Sequence, residues 1–109
     1  MPVDEKLAKR LREALQGHKD LEEKRMFGGI GFLLKGNMAV GVNKNDLIVR
    51  IDPQYHDETL KRPHTRTFDL SGRPMKGWLL VEPRGLETDE ELKEWVHVGI
   101  KYASTLPPK

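Results

Sequence analysis

The chain has no cysteine, which excludes disulfides, thiolate metal sites and cysteine nucleophiles. No apolar run approaches the roughly 18–20 residues that a bilayer-spanning helix needs. The stretch from Met1 to Arg12 is charged throughout, where a secretory leader would carry an apolar core. A cytoplasmic location is the expectation. A dominant charge sign is also missing. Nineteen lysines and arginines face 17 aspartates and glutamates, a net charge of +2, too balanced to imply nucleic acid by bulk electrostatics. Aromatic residues make up 6%, and serine occurs only at Ser71 and Ser104. Without geometry, neither a serine–histidine–acid set nor a carboxylate pair can be picked out. Repeats, low-complexity tracts and an interdomain linker are absent from the sequence.

What is present suits one domain over residues 1–109. Hydrophobic residues reach only 37% against 33% charged, but they fall in periodic runs, unlike a disordered chain. Leu7, Leu11 and Leu15 recur at helical spacing with Ala8 and Ala14 beside them, predicting a helix over Asp4–Gln16. Asp4 suits the N-cap and Gly17 the stop, and Leu21 extends the apolar contact into the next turn. The period then changes to that of strands. Lys24–Phe27, Ile30–Leu34, Met38–Val42 and Leu47–Ile51 predict an antiparallel meander with turns at Lys35-Gly36-Asn37 and Asn43–Asp46. Asp52-Pro53 opens a short helix to about Lys61. Thr67–Leu70 and Gly77–Val81 form a second strand pair, which Glu82-Pro83-Arg84-Gly85 closes. Thr88 and Glu91 have capping-box spacing before the apolar stripe Leu92, Trp95, Val96, Gly99, Ile100 and Ala103. The expected fold is α+β, a two-layer antiparallel sheet of about five strands with helices on one face. One contiguous core is expected from the leucines of the first helix, Phe27, Phe32, Leu34, Val40, Val42, Ile48, Leu79, Val81, Leu92, Trp95, Val96 and Ile100.

The run Met26-Phe27-Gly28-Gly29-Ile30-Gly31-Phe32 resembles the opening signature of the TfoX (Sxy) N-terminal domain family. Gly36, Leu47–Arg50, Phe68, Gly72–Trp78, Glu82-Pro83 and Trp95 follow in matching order, so the resemblance spans about Lys24 to Lys109. It implies a two-layer α/β domain. The family's best-known full-length members regulate natural competence and carry a second, C-terminal domain, so this chain is expected to be a stand-alone member. The resemblance supplies no catalytic residues.

The candidate chemistry is sparse. Gly28, Gly29 and Gly31 could suggest a phosphate cradle, but such a loop runs from a strand into a helix N-terminus, and here an apolar strand follows. They are expected to serve packing or backbone geometry. His18, His56, His64 and His97 are scattered. His56-Asp57-Glu58 with His64 matches no metal-ligand frame, and surface positions are expected for all of them. Trp78 and Trp95 are expected in the core. Lys61, Arg62, Arg66, Arg73 and Lys76 form a basic stretch opposed only by Asp69. If the domain binds an anion, Arg50, His64, Arg66, Arg73 and Lys76 are the candidate residues; the alternative is separate charges paired locally with Asp69, Glu82 or Glu58. The functional expectation is a non-enzymatic interaction module, linked to transcription regulation, with another protein as partner and no cofactor, metal or membrane. Nucleic-acid or anion binding through the basic stretch is the alternative.

Overall fold

The computed structural model describes residues 5–26, 29–69 and 74–108. Asp4, Phe27, Gly28, Leu70, Ser71, Gly72 and Arg73 therefore lie outside the described residues, and with them the expected first N-cap, one core aromatic, one structural glycine and one candidate arginine. Helix α1 (Glu5–Ala14) leads into strands β1 (Leu21–Met26), β2 (Gly29–Leu34), β3 (Asn37–Asn43) and β4 (Asp46–Arg50). A 3-10 turn (Pro53–Tyr55) and the short helix α2 (His56–Thr59) precede β5 (Thr65–Asp69) and β6 (Pro74–Val81). A second 3-10 turn (Pro83–Leu86) leads to α3 (Asp89–Ala103). The strands make one six-stranded sheet in the order β1-β2-β3-β4-β6-β5, every neighbour antiparallel. The fold is α+β. The first strand begins at Leu21, not Lys24, so Leu21 belongs to the sheet and packs from its edge against the main core.

Local chemistry explains the main joints. Lys35 and Gly36 both take left-handed φ values, 51° and 87°, as a two-residue hairpin turn demands. At the start of α3 the Thr88 hydroxyl accepts from the Glu91 N–H at 3.1 Å, and the Glu91 carboxylate accepts from the Thr88 N–H at 3.0 Å. This is the capping box the spacing predicted. Among the described residues no helix is long and apolar enough to cross a membrane.

Helices α1 and α3 pack on one face of the sheet. Leu7, Leu11, Leu15, Leu92, Trp95 and Val96 meet Ile30, Phe32, Val40, Val42, Leu47, Val49, Leu79 and Val81. The expectation of one core containing Ile48 and Leu34 is corrected on both residues. In β4 the side chains alternate, so Leu47 and Val49 point to the helices and Ile48 to the opposite face. There Ile48 packs with Leu33, Met38, Phe68 and Leu80, and Trp78 lies half-buried beside them. Leu34 joins a small third cluster with Ala39 and Ala103. Its cause is a bulge: Phe32 opposes Val40 and Leu33 opposes Met38, which leaves Ala39 as the extra residue. Helix α3 seats directly over this bulge. A Cβ on Gly99 would stand 2.5 Å from the Ala39 carbonyl oxygen and 2.7 Å from a Val40 methyl, so only glycine permits that approach.

Helix α1 is also tied to the sheet edge by charge. The Arg12 guanidinium forks onto the Glu23 carboxylate through two 2.8 Å hydrogen bonds. That bond holds the Glu23 carboxyl below its usual range and raises Arg12. A depressed carboxyl stabilises the fold above its unfolded pKa, and the contribution is lost as pH falls through the lower, folded value. Both side chains are about two-fifths exposed, which limits the pair to under about 1 kcal/mol. Urea denaturation should therefore show Glu23→Gln slightly less stable than wild type at neutral pH. The difference should vanish under acid conditions; a difference that grows with acidity would contradict the assignment.

Candidate functional site

Between α2 and the C-terminal half of α3 lies an open cleft of about 560 Å³. Its first wall depends on Asp52, whose carboxylate accepts from the Gln54 N–H at 2.9 Å, with Pro53 at the first position of the turn. That turn projects Tyr55, which is 51% exposed and is the exposed large hydrophobic residue among those described. The opposite wall is the flank of α3, where Val98, Lys101 and Tyr102 stand beside the buried stripe. Ile51 lies at the base. The chain has two tyrosines, and both line this cleft. Thr59 and Thr105 also line it, but each hydroxyl donates to a backbone carbonyl, of Tyr55 and Tyr102 respectively.

Two arginines stand against aromatic rings around the cleft. Arg62, a lining residue, lies 3.9 Å from the ring centroid of Trp95. Arg50 lies 4.9 Å from Trp78 and 5.8 Å from Tyr102. Among the described residues neither arginine has a carboxylate partner. Each guanidinium is held by π faces that leave its N–H edges for another acceptor.

The structure does not gather the sequence-derived anion candidates into one group. Arg66 pairs with Asp46 and, at 3.3 Å, with Glu82. Asp46 is mostly shielded, and burial pushes its carboxyl above the ordinary range although Arg66 opposes this. His64 occupies an exposed corner with φ of 66°, and its carbonyl accepts from the Glu82 N–H at 2.8 Å. Lys76 is exposed on β6. Arg50 is turned instead toward Trp78 and Tyr102.

Among the glycines, Gly29 opens β2 against β3, and Gly31 stands opposite Gly41. The surface expectation for His56 is corrected. His56 is 3% exposed, and its Nδ1 accepts from the Gly77 N–H at 3.0 Å. The short helix is anchored to β6 by that bond, which a helix–strand crossing creates and local sequence does not display. Among the described residues no three metal-ligating side chains converge. Sequence reasoning missed Tyr55, Tyr102 and Lys101 as residues that line one cleft. The available signal was a tyrosine just inside a proline-started turn and another beside the apolar stripe of α3, but their meeting depends on tertiary packing.

No curated protein and no solved structure matches the chain. The model of the TfoX N-terminal domain matches residues 13–103, which take in every strand, α2, all of α3 and the whole lining of the cleft except Thr105. The order of glycine-led strand, meander, second strand pair and tryptophan-bearing helix is thus that of a known family, and the chain belongs to the TfoX N-terminal domain family.

Proposed function

We propose that this domain is a non-enzymatic interaction module whose cleft between α2 and α3 receives a segment of another protein. The observation that carries this reading is the convergence of both tyrosines on one open cleft, with Tyr55 half exposed. Tyrosine and arginine dominate binding energy at protein interfaces because each combines a large contact area with directed polar groups. Here Ile51 at the base and Val98 on the α3 wall offer apolar surface, and Arg62 and Lys101 stand beside it with Asp52 and Glu58. The matching segment has an apolar or aromatic residue flanked by charged groups of both signs. Both lining threonine hydroxyls donate to backbone carbonyls, which do not take up a proton as the general base of an activated nucleophile would. The family's association with competence regulation supports a transcription-associated protein as the partner. Local pairing of Arg66 with Asp46 and Glu82 favours this reading over nucleic-acid binding.

Affinity capture with wild type and Tyr55→Ala, each with and without nuclease, tests the proposal. Tyr55 is exposed, so the variant should keep its melting temperature. Wild type should retain specific proteins after nuclease treatment, and Tyr55→Ala should lose most of them. Equal capture by both variants would reject the cleft. Release of every captured protein by nuclease would favour the nucleic-acid alternative.

A further inference from the structure

Strand β1 ends the sheet on one side, and among the described residues nothing pairs with its outer edge. Edge strands invite pairing, and charged side chains are a common deterrent. The charges of Leu21-Glu22-Glu23-Lys24-Arg25-Met26 change sign in the middle of the strand, acidic first and basic after. Such a strand is complementary to itself when reversed. We propose that the β1 edge pairs antiparallel with β1 of a second copy of this chain, joining the two sheets across a two-fold axis.

Backbone geometry is consistent with this and selects the register. The Lys35 N–H donates to the Asp20 carbonyl at 3.0 Å where the β1–β2 ladder begins. Hydrogen-bonded and non-hydrogen-bonded pairs alternate along an antiparallel ladder. Glu22 and Lys24 thus turn their backbone groups toward β2, while Leu21, Glu23 and Arg25 turn theirs outward. In a two-fold pairing, opposed residues share a face of the sheet, so an odd-numbered residue meets an odd one and an even meets an even. Two registers then centre on the middle of the strand. One opposes Lys24 with Lys24, Glu22 with Met26 and, twice, Glu23 with Arg25, so its attraction draws on a Glu23 carboxylate that Arg12 already forks, and nothing offsets the two facing lysines. The other opposes Glu22 with Lys24 twice, at positions where side chains come closest, and sets Glu23 opposite Glu23. In that register the central repulsion is offset, because each Glu23 carboxylate is already forked by Arg12. Glu22 and Lys24 have no ion pair of their own among the described residues and lie exposed on the face that α1 and α3 leave open. The second register is the one the charges select. It adds about six backbone hydrogen bonds between the copies.

A contact of one strand per copy is small, so a weak, concentration-dependent dimer is expected. Sedimentation equilibrium should show monomer converting to dimer, with weaker association at high salt. Glu22→Lys should raise the dimer dissociation constant by about tenfold, because two attractive pairs become repulsive. The double variant Glu22→Lys with Lys24→Glu should restore dimerisation, since the opposed pairs are merely exchanged. A mixture of the Glu22→Lys and Lys24→Glu single variants should associate with each other more tightly than either does with itself. These exposed substitutions should leave the circular dichroism spectrum unchanged, which separates lost association from lost folding. A monomer at every concentration into the millimolar range would overturn the proposal. So would a dimer indifferent to the single charge changes, because it would then form through another surface.

Discussion

Trp95→Ala should destabilise the domain by roughly 3–5 kcal/mol, the usual cost of truncating a buried large aromatic. The indole is 4% exposed and belongs to the main cluster, where α3 meets the sheet and α1. Its removal leaves a cavity that the sheet cannot close, since α3 is already seated against the Ala39 bulge through Gly99. For a domain of this size the loss corresponds to a fall in melting temperature on the order of 15 °C. Two companion variants separate the contributions. Arg62→Ala removes only the cation that lies 3.9 Å from the ring, and at an exposed site that costs about 1 kcal/mol or less. Trp95→Phe keeps an aromatic face and should lie between the two. Because the ring also supports Arg62 at the cleft, Trp95→Phe should weaken partner capture more than its stability loss explains. A loss below about 1 kcal/mol for Trp95→Ala, measured by urea denaturation, would mean that α3 presents a different face to the sheet.

The second large effect is expected at Gly29. An added Cβ would stand 2.0 Å from the Val42 carbonyl oxygen and 3.1 Å from the carbonyl carbon. Both atoms are backbone inside the β2–β3 ladder, so no rotamer change relieves the contact. Either β2 peels away at its start or the two strands separate, each with loss of ladder hydrogen bonds. Gly29→Ala should therefore cost about 3 kcal/mol, the upper part of the range for overpacking. The damage should be local at first, with faster amide exchange at Ile30 and Val42 while the α3 amides stay protected. If the glycine run instead held an anion, phosphate or a nucleotide would raise the wild-type melting temperature. No shift is expected, and a shift abolished by Gly29→Ala would replace the packing explanation with a binding one.

The elements themselves were largely legible because their signals are local. The leucines at Leu7 and Leu11 follow the 3.6-residue period, and Thr88 with Glu91 marks the start of α3 by spacing alone. The hairpin turn at Lys35-Gly36 likewise depends on residues beside one another. Reading stopped where strand phase mattered. In Leu47-Ile48-Val49 every residue is apolar, so alternation gives no contrast between faces; the register with β3 and β6 decides that Ile48 lies away from the helices. The bulge at Ala39 depends on the pairing of two strands in the same way.

The site was less legible than the fold. By itself the sequence determined the family, the class of fold, the helix signals and the charge pattern of β1, because each is written in neighbouring residues or in the order of short motifs. Only the tertiary structure decided which charges pair and which aromatics converge. Arg66 found Asp46, 20 positions away, because β5 and β4 flank β6 in the sheet. His56 became a buried acceptor because α2 crosses Gly77 of β6. Tyr55 and Tyr102 come to one cleft because the chain must traverse a strand pair and return along α3 before the two walls face each other. Contacts between residues distant in sequence depend on the packing of whole elements, and local patterns record only the faces those elements offer.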